Sequence, residues 1–337
     1  MQASFYRLKS NRFMNRKCVC FRADASGQIG FGHFVRSLAL AEMLRDDFDC
    51  VFFTVDPSEY QRREVERVCR LHPLPPVSHF EDFLPCLQGD EIVVLDNYFF
   101  TTEYQKAIKA KGCCLVCIDD LHDRHYVADA VINHGVADAA LFSVEPYTRL
   151  CLGLSWALLR QPFLRALESG WHRDRLLKSA LVCVGGSDPY NLVAKYLNAI
   201  RGSGMLFETI KVIAGLNTRI PEGVPEVEIL PHGLSAQQIC SVLQEADMGF
   251  FSASTICLEA LSVGLPSVVG YYVDNQEGFY HYITGMGAVW GVGDLLASEE
   301  LDMSGVSNFM PKFDKLDMYG IQSRYIELFE KLGSETD

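Results

Sequence analysis

Short apolar runs alternate along this chain with longer amphipathic ones, and that alternation limits the possible folds more than any other feature. Ten runs have strand character: 17–22, 50–55, 91–95, 113–118, 128–132, 179–184, 209–213, 227–230, 247–251 and 266–270. Two intervening segments show helical spacing. Val193, Tyr196, Leu197 and Ile200 fall at i, i+3, i+4 and i+7, as do Ile239, Val242, Leu243 and Ala246. Strands that alternate with helices pair in parallel, in sheets covered on both faces. The pattern restarts near residue 179, after an irregular stretch (140–175) holding Pro146, Gly153, Pro162 and Gly170. The sequence therefore predicts an α/β protein of two Rossmann-like, doubly wound domains facing a deep cleft. We place a flexible extension at 1–16, a first domain at 17–165, a second at 166–316, and a C-terminal helix and tail at 317–337. That helix carries Ile321, Tyr325, Leu328, Phe329 and Leu332 on one face. Ligands of such sheets bind outside the C-terminal strand ends, which puts the expected site in the cleft.

Composition narrows the partners. A net charge of −13 argues against a nucleic-acid partner. An anionic ligand has to be held by local features, such as helix N-termini, against that global charge. The first 17 residues hold five basic residues and no acid, and lack the apolar core of a signal peptide. No apolar run approaches the ~20 residues of a membrane span. The 12 cysteines fall mostly in strand-like runs, where free Cys packs as a small hydrophobe. A reduced, cytoplasmic setting is expected, with no membrane insertion and a monomer or weak homodimer. Cys113, Cys114 and Cys117 do not read as a zinc site, because neighbouring strand residues point to opposite faces and no second pair follows at finger spacing. Neither a metal nor a cofactor is expected.

Three strand-to-helix turns carry candidate chemistry. The first follows 17–22 and holds Asp24, Gly30, Gly32, His33 and Arg36. A glycine-rich turn opening a helix offers free amides and a positive dipole end to an anion, and His33 adds a group that takes a proton near neutral pH. The second is Val184-Gly185-Gly186-Ser187-Asp188-Pro189, where Asp188 reads as an N-cap and Pro189 as the first helical residue. The third runs from Phe251 through Ser252, Ser254, Thr255 and Glu259 to Pro266. Its hydroxyls suit phosphate oxygens, and Glu259 reads either as a ribose acceptor or as a carboxylate favoured by the helix dipole. Asn275 and Gln276 follow 266–270, where their amides can orient water or a sugar hydroxyl, or simply make a turn. Leu95-Asp96-Asn97-Tyr98 sits at a strand end, and Asp119-Asp120 reads as caps and turn contacts. His72, His79 and His281 read as surface or packing residues. Nothing marks a nucleophile elbow.

Together these segments resemble the UDP-2,4-diacetamido-2,4,6-trideoxy-β-L-altropyranose hydrolases of pseudaminic acid biosynthesis, enzymes of the GT-B group. The matching pieces are Phe21–Ala41, Leu95–Tyr98, Ile118–Leu121, Leu152–Arg160, Gly185–Asn191, Ser252–Pro266 and Asp274–Gln276. Gly30-Phe-Gly-His-Phe-Val-Arg36 is the most specific of them. The Glu259 helix with Gly264-Leu-Pro266 is shared across GT-B enzymes. The resemblance implies that the first domain holds the sugar, with Asp24, Gly30, Gly32, Arg36 and Gln276 around it. It implies that the second holds UDP through Gly185, Gly186, Ser187, Ser252, Ser254, Thr255 and Glu259. Water would attack the anomeric carbon with His33 as general base, Asn275 would help place it, and Tyr98 would contact sugar or water. The chain departs from the family in its N-terminal arm, at Asn97 and at Asn133-His134-Gly135, which leaves the exact sugar open. A GT-B glycosyltransferase, a hydrolysing UDP-GlcNAc 2-epimerase and a non-catalytic UDP-sugar-binding protein are the rival readings.

Overall fold

The computed structural model describes residues 16–25, 31–170, 177–215, 217–221, 227–231, 233–297 and 299–334. The arm before residue 16 and the predicted ligand residue Gly30 lie outside the described residues. The first domain contains β1 (Cys18–Ala23), α1 (Gly32–Leu44), β2 (Asp49–Val55), α2 (Glu59–Glu66), β3 (Arg70–Leu74), α3 (His79–Phe83), β4 (Ile92–Asp96), α4 (Thr102–Lys109) and β5 (Cys114–Ile118). It continues through β6 (His125–Tyr126), β7 (Ala130–Asn133), β8 (Ser143–Val144) and β9 (Arg149–Leu152). Its main sheet has the order β3-β2-β1-β4-β5-β7-β9, while β6 and β8 form a small separate pair.

The chain crosses through α5 (Gln161–Ser169) into the second domain. There follow β10 (Ser179–Cys183), α6 (Leu192–Gly202), β11 (Thr209–Ile213), β12 (Val227–Leu230), α7 (Ala236–Glu245), β13 (Met248–Ser252), α8 (Thr255–Ser262), β14 (Ser267–Tyr271), α9 (Asp274–Gly285) and β15 (Trp290–Asp294). This sheet runs β12-β11-β10-β13-β14-β15. Neighbouring strands of both sheets pair in parallel. The predicted class is thus observed: two doubly wound sheets, each with the strand order reversing beside its first strand.

All ten predicted strands are present, each within two residues of its expected ends. The strands of the main sheets that the sequence did not predict, β3, β9 and β15, all lie at sheet edges. An edge strand buries less of itself and needs no continuous apolar run, so β3 accommodates Pro73 and β15 two glycines. Helix α6 begins at Leu192, later than Asp188-Pro189 suggests. Asp188 still caps it, accepting from the amides of Leu192 at 2.7 Å and Val193 at 3.0 Å.

Alternate residues of β1 serve opposite faces of the first sheet. Val19 and Phe21 pack with Phe34 and Leu40 of α1, whereas Cys20 joins Phe83 and Ile108 on the other side. The first of these cores is continuous with the second domain, because α5 packs against α1 and also against α7 and α8. The boundary expected at 165/166 falls inside α5. The last helix, α10 (Ile321–Ser334), returns to the first domain. Phe329 meets Phe48 with ring centroids 6.0 Å apart, Tyr325 donates to Trp156 O at 2.5 Å, and Gln322 donates to Met43 O at 3.0 Å. This helix closes the core that α5 opens, so the chain ties the two domains together twice.

Phe329 is fully buried. Replacing it with alanine should remove about 3–5 kcal/mol from unfolding stability, the usual cost of an aromatic-sized cavity. Urea denaturation checks this, and a loss under about 1 kcal/mol would mean that α10 does not anchor the first domain.

Candidate active site

In α1 the residues His33, Arg36 and Ser37 share one face, at i, i+3 and i+4. That face meets the last residue of β4, Asp96. The Asp96 carboxylate is fully buried and takes four contacts from α1. Arg36 donates through Nε to Oδ2 at 2.7 Å and through Nη2 to Oδ1 at 2.6 Å. Ser37 Oγ donates to Oδ2 at 2.9 Å, and His33 Nδ1 lies 2.7 Å from Oδ1. Burial alone would raise the Asp96 pKa, but the Arg36 guanidinium and His33 outweigh it and hold the carboxyl well below the usual range. Arg36 is raised in turn: burial opposes its charge, and Asp96 and Asp120 restore it.

An ionised Asp96 only accepts hydrogen bonds, so its 2.7 Å contact with Nδ1, shorter than the 3.1 Å approach of Arg36 Nη2 to the same nitrogen, assigns the imidazole proton to Nδ1 of His33. Nε2 is then the basic nitrogen, and it has no hydrogen-bond partner among the described residues. The Tyr98 ring stands edge-on to the imidazole, with centroids 4.5 Å apart. Tyr98 OH donates to Asp120 Oδ2 at 3.0 Å, an oxygen that also receives Arg36 Nη1 at 2.9 Å. Asn275, in the first turn of α9, reaches across from the second domain and donates through Nδ2 to Tyr98 OH at 2.6 Å. His33, Tyr98 and Asn275, the three predicted catalytic residues, are therefore brought together at the cleft. His134, half-buried at the end of β7, lies nearby. Burial and the charge of Arg36 push its pKa down to about 4, so it is neutral at physiological pH.

The second domain carries the two turns that the sequence marked as candidate anion contacts. Gly185 adopts φ +119°, a left-handed conformation suited to glycine. The neighbouring loop packs tightly on this turn: a Cβ at Gly215 would stand 2.7 Å from Gly185 O and 2.8 Å from Ser187 N. Gly186 has open space beside it, as does Gly32 at the start of α1. Ser254 sits at the N-cap of α8 without a side-chain capping bond, and Thr255 is the first helical residue. Both are half-buried. Their hydroxyls and the first-turn amides of α8 stand at a positive helix end. Ser252 is buried and bonds Val184 O and Ser254 Oγ, each at 3.0 Å, so it braces this turn instead of facing a ligand.

Four more predicted ligand residues are committed to the protein itself. Asp24 is 5% exposed, and its Oδ1 accepts from Arg22 at 2.5 Å, Thr54 Oγ1 at 3.2 Å and Val55 N at 2.8 Å. It ties the ends of β1 and β2 and balances the buried Arg22. Arg36 positions His33 through Asp96, as described above. Gln276 is buried and accepts from Tyr272 N at 3.2 Å, a turn contact. Glu259, expected to meet a ribose, is 1% exposed, and both its oxygens are held by Arg160 at 2.7 and 2.8 Å. It fastens α8 to the segment preceding α5.

Asp96, Asp120 and Arg124 received no functional assignment from the sequence. Arg124 donates to the carbonyls of Tyr98 at 2.9 Å and Phe100 at 2.8 Å, fixing the loop that carries Tyr98. Asp119 is the turn residue expected of it, accepting from the amides of Leu121 and His122. Asp120, beside it, faces the site. The available signal was position: carboxylates at the C-terminal ends of β4 and β5 lie where parallel sheets place their ligands. Among the described residues, no group of three or more His, Cys, Asp or Glu could hold a metal ion, and no helix is long and apolar enough to cross a membrane.

Two parallel-sheet domains tied by a crossing C-terminal helix, with a polar site between them, define a GT-B fold. Comparison with solved structures places MurG of Acinetobacter baumannii at a TM-score of 0.64 and 12% identity, covering 94% of this chain and 99% of that one. The Phytolacca americana UGT2 complex with UDP-2fluoro-glucose and pterostilbene aligns at TM-score 0.59 and 11% identity, over 96% and 95% of the two chains. In sequence, the chain is similar to the UDP-2,4-diacetamido-2,4,6-trideoxy-β-L-altropyranose hydrolase of Campylobacter jejuni, 26% identical over 77% of this chain and 93% of the relative. It is similar also to the spore coat polysaccharide biosynthesis protein SpsG of Bacillus subtilis, 25% identical over 86% and 88% of the two chains. No family model matches the chain.

Asp96→Asn should cost about 3–5 kcal/mol at pH 7, because it leaves Arg36 short of a buried partner. The carboxyl is depressed in the folded state, so its stabilisation is complete above the unfolded pKa of about 4 and is lost as pH falls below it. Stability measured against pH should therefore fall less steeply below about pH 4 in the variant than in the wild type. Parallel acid limbs would contradict this account of Asp96.

Proposed function

We propose that the protein is a UDP-sugar hydrolase that transfers the glycosyl group of a UDP-linked diacetamido-trideoxy sugar to water, in nonulosonic (pseudaminic-type) acid biosynthesis. The observation that carries this reading is the state of His33. Its Nδ1 is bound to a buried, ionised carboxylate, and its Nε2 is left as the basic nitrogen beside a cleft that Asn275 enters from the other side. A general base of this kind suits activation of a water molecule. The similarity to a named UDP-sugar hydrolase over most of both chains supports the same reading.

In this mechanism His33 Nε2 takes a proton from water as the water oxygen bonds to the anomeric carbon. The bond from that carbon to the β-phosphate oxygen of UDP breaks, and UDP leaves as an anion. Asp96 stabilises the imidazolium that forms, much as a buried carboxylate supports histidine in hydrolytic triads. The turn at Gly185, Gly186 and Ser187, together with Ser254, Thr255 and the amides of α8, holds the diphosphate whose charge grows as the bond breaks. A single displacement inverts the anomeric centre and leaves the rest of the sugar unchanged. We place the reaction in the cytoplasm, where nucleotide sugars are made, and assign it no metal or cofactor.

The direct test is incubation with UDP-2,4-diacetamido-2,4,6-trideoxy-β-L-altropyranose and no acceptor, followed by proton and phosphorus NMR. UDP and the free altro-configured sugar should accumulate together. Survival of the substrate until an acceptor is added would identify a transferase instead, and a 2-epimerised product would identify an epimerase. His33→Ala should lower kcat by about 10²–10⁴-fold, the usual contribution of a general base, while UDP binds as tightly as before. Wild-type turnover in that variant would remove His33 from the mechanism.

A further inference from the structure

Water that is to attack a carbon needs its two hydrogens directed away, so that a lone pair points at the target. Under the proposed reaction one hydrogen goes to His33 Nε2. The second needs another acceptor, and the structure shows how Asn275 can supply it. Asp120 Oδ2 receives both Arg36 Nη1 at 2.9 Å and Tyr98 OH at 3.0 Å. An ionised carboxylate donates nothing, so the phenol proton is committed to Asp120. Burial and the charge of Asp120 raise the Tyr98 pKa, which keeps that proton in place. With its proton spent, Tyr98 OH can only accept from Asn275, at 2.6 Å. The amide nitrogen of Asn275 is therefore turned toward Tyr98, and the amide oxygen Oδ1 is left for the cleft.

We propose that Asp120 is a positioning residue that sets the polarity of the Asn275 amide through Tyr98, so that Asn275 presents an acceptor to the attacking water. This rests on the hydrolase reading above and adds a specific chemical role to it. Without the relay the amide can turn over and offer its NH₂ to the water oxygen. That would occupy the lone pair needed for attack and leave one hydrogen undirected. The role is independent of UDP, which the other domain holds through its own turns. Arg36 couples the relay to the base, since one guanidinium serves both Asp96 and Asp120.

The experiment is a double-mutant cycle of Asp120→Asn and Tyr98→Phe, measuring hydrolysis of the altropyranose UDP-sugar and UDP affinity by calorimetry. Each single variant should lose about tenfold or more in kcat, as expected when a hydrogen bond to a charged partner is lost. The double variant should lose no more than the worse single one, because both break the same relay. The UDP dissociation constant should stay within about twofold throughout. Multiplying losses, or UDP affinity falling in step with kcat, would overturn the proposal. If Asp120→Asn does not fold, Tyr98→Phe and Tyr98→Phe/Asn275→Asp carry the test. An aspartate at 275 accepts through either oxygen and has no wrong orientation, so part of the lost kcat should return; no recovery overturns the proposal. Absence of hydrolysis by the wild type would instead overturn the hydrolase reading, and with it this role.

Discussion

Asp96 carries its charge at the end of β4 with no access to solvent, and the geometry of the cleft follows from how that charge is satisfied. An isolated buried carboxylate costs several kcal/mol and would take up a proton instead. The two-pronged contact from Arg36, the Ser37 hydroxyl and His33 keep it ionised. All three partners lie on one face of α1, so the requirement also fixes the rotation of that helix over the sheet. Arg36 then extends to Asp120, and through Tyr98 the network reaches Asn275 in the other domain. One electrostatic requirement thus links helix placement, the tautomer of His33 and the contact across the cleft.

The two domains contribute different physics. The first is rich in buried charge at its strand ends, where Arg22, Asp24, Asp96 and Arg36 are all nearly inaccessible. The second presents backbone amides, glycines and small hydroxyls at its proposed ligand site, groups that can hold an anion without a cationic side chain. That suits a chain whose net charge is −13. The tie between the domains is substantial: α5 and α10 bury side chains against both sides of a continuous core, and Arg160 clamps Glu259.

Much of this was legible in the sequence. The central strands announced themselves because burial on both faces demands continuous apolar runs. The restart near 179 gave the two-domain plan, and the strand-to-helix turns marked the strand ends at which the candidate site lies. Edge strands β3, β9 and β15 were not legible, since exposure relaxes that demand. Nor could the sequence tell which polar residues near a strand end face a ligand and which face the protein. Asp24 and Glu259 carry the residue types of ligand contacts, yet Arg22 and Arg160 occupy them. Asp120 looked like its neighbour Asp119, but adjacent positions at the end of β5 point different ways. These assignments depend on partners far away in the chain: 60 residues separate Asp96 from Arg36, and 177 separate Tyr98 from Asn275. Local pattern carries no record of such pairings.

The central claim is that a water activated by His33 attacks the sugar carbon and not phosphorus. Hydrolysis of the altropyranose UDP-sugar in water enriched in oxygen-18, read by phosphorus NMR of the released UDP, tests it most directly. The mechanism predicts an unlabelled β-phosphate, because the bond that breaks joins the anomeric carbon to oxygen. Oxygen-18 in the β-phosphate would show attack at phosphorus, and would contradict His33 as the base and Asn275 as the anchor of a water aimed at carbon.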